Sequence, residues 1–496
     1  MKKKLLNLFL VVAMLLVAVP VVAAAPPPQD GGQDYVVVAD DWLSKLADKF
    51  LGDVLAYPAI TYYTNQMNAE DSSYAKITNS DLIEVGWKIY IPSAEEAEAY
   101  FAGQTASVGG TGDTVKIGAV APLSAPGSVT GGTTMKAAFE IALEEINEAG
   151  GVLGKTAELV LVDTEGLPER GTAAMERLIS QEGVAGVVGE YHSAVAMTEM
   201  EVANANNLPV VFAETWSDAI TESQYPQVFR IAPMSSLTAD TYVNFMESLG
   251  VKKIVIMTEN TSYGIDQAEQ VTELAAAKGI EAVTFSADIG TQDFSGIVER
   301  IKAENPELIF VSVTGETSYN FEQQAAEGGI GPQDLPMICN QVAGDSEAFW
   351  ANVPDGDLCI YTRVGLPTAL YTPETVAFID KYTAATGKAE AESYAMEAYD
   401  SLKLMAQAIN EAGSTDGDAI ISALENISYD GALGTITFTY GNHNPIPEGV
   451  AAKWWHQFPD PAITLVQYQE AGQDSADVPV VYPPAYETAP VIVAGQ

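Results

Sequence analysis

The sequence predicts an α/β protein built as two doubly wound α/β lobes, preceded by a small α+β module. Three observations carry that expectation. From Thr114 onward, short apolar, β-branched runs alternate with amphipathic helical stretches, the pattern of parallel sheets covered on both faces. The alternation continues for more than 350 of the 496 residues, beyond the comfortable size of one hydrophobic core. Ahead of it, residues 35–92 form a separate compact pattern. An Ala-, Glu- and Gly-rich linker over 93–113, ending Gly109-Gly110-Thr111-Gly112, sets that pattern off.

The chain opens on Lys2, Lys3 and Lys4, an apolar run from Leu5 to Val22, and the small residues Ala23, Ala24 and Ala25. This is the order of a secretory signal, so residues 1–25 are expected to direct export to the periplasm or cell wall. A membrane anchor is the alternative, since the run approaches the ~20 residues needed to span. Pro26, Pro27 and Pro28 after the alanines favour cleavage. No Cys lies nearby to carry a lipid.

The module over 35–92 begins with a strand at Tyr35 to Val38 and continues with apolar residues at helical spacing around Trp42, Leu43, Leu46 and Ala47. It ends with Gly86-Trp87-Lys88-Ile89-Tyr90-Ile91-Pro92. Beyond the linker, strands are expected at Val115–Val120, Leu159–Val162, Val184–Val188 and Pro209–Phe212. A second set follows at Ile254–Met257, Ala282–Phe285, Leu308–Val313 and Pro336–Ile338. Helices such as Met135–Asn147 and Ala173–Ile179 fall between, and right-handed crossovers give doubly wound layers.

Composition excludes some functions. With 23 Lys+Arg against 67 Asp+Glu, the surface repels phosphate backbones, so no nucleic-acid partner is expected. The acidity reads as a solvated surface or as attraction for cationic ligands. His192, His443 and His456 have no metal-like or nucleophile-activating spacing, so no cofactor, metal or enzymatic activity is expected. Cys339 and Cys359 each sit in a strand-like run, where a disulfide and two buried thiols both fit.

Residues 35–92 resemble the LysM domain, a strand-helix-helix-strand module that binds N-acetylglucosamine-containing glycans. The resemblance implies a peptidoglycan partner, although Asp40-Asp41-Trp42 stands where that family has Gly-Asp before the Leu. The remainder resembles the type I periplasmic binding proteins of the branched-chain amino-acid group. The marks are Lys116-Ile117-Gly118-Ala119-Val120-Ala121-Pro122-Leu123-Ser124, Gly150-Gly151-Val152-Leu153-Gly154, Phe229-Arg230-Ile231-Ala232-Pro233, Ser262-Tyr263-Gly264, Ala398-Tyr399-Asp400-Ser401 and Val481-Tyr482-Pro483-Pro484.

That second resemblance implies two lobes joined by three crossing segments, near Phe229–Pro233, Arg363–Pro367 and Thr437–Thr439. The first lobe would comprise residues 114–231 and 366–437, the second 232–365 and 438–490. It implies an extracytoplasmic component of an ABC importer that closes on an amino-acid-like ligand and docks on a membrane permease. A sensory receptor and, less so, a cell-wall hydrolase are the alternatives.

Gly189-Glu190-Tyr191-His192-Ser193 leads from a strand into a helix, with Ser193 as expected N-cap. The unpaired N–H groups of that helix start suit a ligand carboxylate, which the matching Ser holds in the family. Glu214, Thr215 and Trp216 fall where the family commonly has small residues and a Thr. Tyr263 matches a Tyr that closes over the ligand. Thr314 ends a strand beside the cleft, and Gln341 stands where amino-acid-binding members often keep an acidic residue for the ammonium. Tyr191 completes the expected site.

Overall fold

A computed structural model describes residues 32–38, 41–52, 56–77, 83–94, 96–97, 100, 114–388 and 393–493. The expected signal segment 1–25 lies outside the described residues, as does most of the linker. The chain divides into two compact units at residues 106 and 107, each taken by itself below.

The first unit is a two-stranded antiparallel ribbon with two helices. β1 (Gln33–Val36) pairs with β2 (Lys88–Ile91), and the helices Leu43–Leu51 and Tyr57–Glu70 lie between them in sequence. Leu43, Leu46 and Ala47 place their side chains on one helical face, packed with Ile60, Ile77, Ile89 and Ile91 in a single small core.

In the second unit, β3 (Thr114–Ala121), β4 (Thr156–Asp163), β5 (Val187–Gly189), β6 (Val210–Phe212) and β7 (Val228–Arg230) form one all-parallel sheet in the order β4-β3-β5-β6-β7. Side chains alternate across it. Val187 and Val210 join Met175 and Ala196 in the core on one face. Val188 and Val211 join Phe139 and Leu402 on the other. The helices Val129–Glu148 and Ser393–Ala412 pack against each other.

A second sheet takes β8 (Lys253–Glu259), β9 (Glu281–Ala287), β10 (Leu308–Ser312), β11 (Met337–Ile338) and β12 (Ile360–Val364). A hairpin of β13 (Tyr429–Gly431) and β14 (Gly434–Ile436) stands apart, and β15 (Ile463–Gln467) and β16 (Val480–Tyr482) complete the second sheet. Its order is β16-β15-β12-β11-β10-β8-β9, antiparallel only at the β15 and β16 pairings. Ile254, Ile256, Leu308 and Phe310 face one core; Val255, Met257, Ile309 and Val311 face the other. The period-two pattern of the sequence is thus doubly covered in both sheets, as β-branched runs without polar alternation require.

Some bounds differ from expectation: the run 184–188 pairs as strand only from Val187, and the helix expected from Met135 begins at Val129. Arg230 and Gln457 form a parallel bridge beside β7, and the Arg230 N–H donates to the His456 carbonyl at 3.0 Å. Side chains reinforce this attachment beside β7. His456 stacks on Phe229 at 3.9 Å between ring centroids and hydrogen-bonds Glu425 at 2.8 Å. Cys339 and Cys359 form a disulfide, with Cα atoms 6.0 Å apart, between the end of β11 and the start of β12.

Candidate functional site

The carboxyl ends of the strands build the site. At the end of β5, Gly189 has φ +111°, and a Cβ there would lie 2.2 Å from the Val120 carbonyl oxygen. Only Gly passes that point without strain, and the chain then turns sharply. Glu190 takes a left-handed φ of 46° and its carboxylate accepts the N–H groups of Tyr191 and His192, both at 2.9 Å. The helix Ser193–Ala205 begins directly afterwards.

Ser193 is the first helical residue and His192 the N-cap, contrary to the expected capping role of Ser193. The Ser193 hydroxyl accepts instead from the N–H groups of Trp216 (3.0 Å) and Ser217 (3.1 Å). It fastens the loop after β6 to the helix start and keeps its own O–H available as a donor. The Val195 and Ala196 N–H groups both donate to the His192 carbonyl at 3.0 Å, so the amides of Ser193 and Ala194 are the ones that lack an acceptor within the helix.

The loop after β6 carries Glu214, Thr215 and Trp216. Arg230, fully buried, braces it from behind. Its guanidinium donates to the carbonyls of Thr215 (3.2 Å) and Ser217, to Thr221 Oγ1 at 2.8 Å and to Gln457 Oε1 at 2.6 Å. Nothing in the local sequence signals this bracing, since its partners come from three segments.

From the second sheet, Tyr263 sits in the first turn of the helix Ser262–Ala277, capped by the Thr261 hydroxyl. Thr314 follows β10, its N–H and hydroxyl donating to Glu259 Oε2 at 2.7 and 2.6 Å. Gln341 follows β11, behind Asn340, whose side chain caps the short turn 341–344.

These two sets meet. The Gln341 amide donates to Glu214 Oε1 across the cleft. Trp216 and Tyr263 pack edge to face with ring centroids 6.1 Å apart. The cleft is closed, leaving a cavity of about 20 Å³, room for about one water. Every expected site residue except Thr215 lines it, joined by His192 and Asn340, which the sequence reading missed. Thr215 is buried, its carbonyl on Arg230 rather than in the cavity. Farther along the cleft, Glu316 crosses to the helix Val129–Glu148, accepting the N–H of Val129 (3.1 Å) and the N–H and hydroxyl of Thr130 (2.8 Å each). Gly315 beside it passes so close that a Cβ would lie 2.8 Å from Ser128 Cα.

The electrostatics are one-sided. Burial pushes the Glu214 carboxyl up to about 7, an effect eased by the nearby side chains of Glu397, Gln341 and Trp216. Glu397 lies behind it, raised by burial and by the charge of Glu214. Burial also holds His192 down to about 4, so its Nε2 is a neutral acceptor for the Ser128 N–H at 3.0 Å. No Lys or Arg lines the cavity among the described residues. Glu214 Oε2, Gln341 Oε1, Trp216 Nε1 and the Tyr191 hydroxyl are buried without a hydrogen-bond partner. These atoms converge on the cavity from both sheets. Among the described residues no group of His, Cys, Asp or Glu is arranged to hold a metal. None of their helices is long and apolar enough to cross a membrane.

Comparison with known proteins agrees with this architecture. A family model described as periplasmic binding protein matches residues 114–455. The Leu/Ile/Val-binding protein BraC3 of Rhizobium johnstonii is 27% identical over 335 residues, covering 65% of this chain and 87% of that protein. The leucine-binding protein LivK of Thermotoga maritima superposes with a TM-score of 0.64 at 21% identity, covering 74% of this chain and 97% of its own. An ABC-transporter solute-binding protein from R. palustris, solved with benzoate, gives a TM-score of 0.63 at 19% identity, covering 77% and 98%. At such identities the two structural likenesses are likenesses of fold.

Proposed function

This chain belongs to the periplasmic binding protein family, and from that premise we propose that it is the extracytoplasmic solute-binding component of an ABC importer. Its ligand is amino-acid-like, a branched-chain amino acid or a related carboxylate or amide. The observation that carries this reading is the meeting of the Ser193 helix start and Glu214 with Tyr263 and Gln341 from the opposite sheet. A ligand that touches both sets favours the closed arrangement over the open one, and the closed form is what a permease would recognise. BraC3 and LivK carry leucine in their names and the R. palustris protein holds benzoate, so a carboxylate is common to all three. Ser193 and the adjacent amides supply its donors here.

The first unit serves as a tether to cell-wall glycan. Its strand-helix-helix-strand order supports a LysM module. Trp42, 55% exposed with the Lys45 ammonium 4.6 Å from its ring centroid, offers a sugar-stacking surface. Tethering raises the receptor concentration near the permease without new contacts there.

A thermal-shift panel of L-amino acids, amides, ureas and small carboxylates on the full chain tests the binding reading, because a true ligand raises the melting temperature. Ser193→Ala should weaken any hit that carries a carboxylate. No shift with any compound contradicts solute binding, and an unchanged hit in Ser193→Ala contradicts the anion pocket. Sedimentation with peptidoglycan, compared with Trp42→Ala, tests the tether; no co-sedimentation contradicts it.

A further inference from the structure

We propose that Glu199 is a positioning residue that stands in the folded chain as a neutral carboxylic acid. It donates its O–H to Glu190, which holds the turn entering the helix Ser193–Ala205. Glu190 and Glu199 lie outside the lining of the cleft cavity, and only the consequence for binding rests on the solute-binding reading.

Unmatched oxygens on two wholly buried carboxyls carry it. Glu190 Oε1 accepts the amides of Tyr191 and His192. Glu190 Oε2 and both oxygens of Glu199 are buried without a hydrogen-bond partner. Helical side chains lean toward the N-terminus, which tilts Glu199, in the second turn of its helix, toward the turn at Glu190. The helix Pro168–Arg177 closes over it so tightly that a Cβ at Gly171 would lie 3.1 Å from Glu199 Oε1.

Among the described residues no cation compensates this pair. The buried face of the covering helix is Gly171, Ala174 and Met175. Its Arg170 pairs with Glu165 at 3.2 Å, and its Arg177 with Glu182 at 3.4 Å. His192, next to Glu190 in the turn, is neutral and its Nε2 is taken by the Ser128 N–H. At the end of β4, Asp163 adds a further negative charge felt by Glu190. The Thr164 hydroxyl eases Glu190 from nearby without reaching hydrogen-bond geometry. Two carboxylates enclosed in this way repel each other and lack donors. One proton on Glu199 removes a charge and supplies the missing donor. Burial raises the Glu199 carboxyl well above its ordinary 4.5, and the charge of Glu190 raises it further. With its second oxygen matched, Glu190 keeps its hold on the two amides that lead into Ser193.

Denaturant titration of the full chain across pH, with Glu199→Gln beside the unaltered protein, tests this. Above the ordinary 4.5, folding the unaltered chain takes up a proton at Glu199, whereas the Gln amide supplies the same donor without one. The folding constant of the unaltered chain should therefore fall relative to Glu199→Gln about tenfold for each pH unit between roughly 5 and 7. Glu199→Leu supplies no donor, so hydrogen exchange at Tyr191 and His192 should quicken about 10-fold or more, while Glu199→Gln keeps the original rate. A folding ratio independent of pH shows that Glu199 is ionised and overturns the inference. A Glu199→Gln chain that fails to fold, or equal exchange in all three proteins, overturns it as well. If Glu199→Leu does not fold, the pH dependence of the ratio decides alone. No ligand is used, so these outcomes leave the solute-binding reading untouched.

Discussion

Gln341 donates its amide hydrogen to the carboxylate of Glu214, joining the end of β11 to the loop after β6 across 127 residues of sequence. This contact spans the cleft between the two sheets. On the proposed solute-binding reading, a ligand has to replace it, so affinity reflects an exchange rather than a fresh gain.

Glu316 makes a second contact across the cleft, apart from the Gln341–Glu214 pair. Its carboxylate sits on the N-terminus of the helix Val129–Glu148. Glu316→Ala is expected to shift the closed-to-open ratio by about 1 kcal/mol, roughly fivefold, the usual weight of an anion at a helix N-terminus. Small-angle scattering of the ligand-free protein should show a larger radius of gyration with an unchanged melting temperature. An unchanged radius would count against a closing role for this contact.

Arg230 should matter for stability and binding together. Arg230→Met strips donors from four acceptors inside the protein. The expected loss is about 1–3 kcal/mol for each acceptor left buried and unpaired, read by denaturant titration. Ligand affinity should fall in the same variant, because the loop bearing Glu214 and Trp216 loses its brace. A loss under about 1 kcal/mol would show that the loop holds itself.

The acid response has a defined direction. Burial raises the Glu190 and Glu214 carboxyls to about 7, from the ordinary 4.5. The folded chain therefore binds protons that the unfolded chain releases between those values. That stability is fully present below pH 4.5, is lost as pH rises toward 7, and levels off beyond. Glu145 acts oppositely. Burial alone would raise it, but hydrogen bonds from Lys381, Lys403 and Tyr399 outweigh burial and hold it at about 2. Its contribution is present above 4.5 and is lost as pH falls toward 2. The melting temperature should peak near pH 4.5–5 (about, from these windows), and Glu214→Gln should flatten the decline toward neutrality. A melting temperature that rises steadily from pH 5 to 7 would contradict this.

Reduction should loosen the second lobe. The Cys339–Cys359 disulfide closes a separation of 20 residues, and opening such a loop costs about 3 kcal/mol in the chain-entropy account. A dithiothreitol-treated sample should melt lower, and Cys339→Ala/Cys359→Ala should match it. Coincident melting curves with and without reductant would show that the bond does not form in solution.

The sequence made much of the fold legible, because strand runs such as Val115–Val120 and Leu308–Val313 are apolar throughout and flanked by helical spacing. Ser193 and Tyr263 were legible as helix-start residues after strands. The role of Ser193 was not, since its hydroxyl is claimed by amides more than twenty residues away. Thr215 shows the limit of reading site residues in a block. Its carbonyl turns back onto Arg230, and only its neighbours Glu214 and Trp216 reach the cavity. His192 has no signal in its own neighbourhood, and its place depends on Ser128, 64 residues earlier. The attachment of His456 beside β7 depends likewise on its meeting Phe229 and Glu425, pairings that no local pattern encodes.

The most direct measurement is a crystal structure of the full chain with the tightest hit from the ligand panel. The account predicts the ligand between the two sheets, with a carboxylate on Ser193 and the first amides of its helix. A ligand bound outside this cleft, or one whose carboxylate leaves Ser193 untouched, would contradict it.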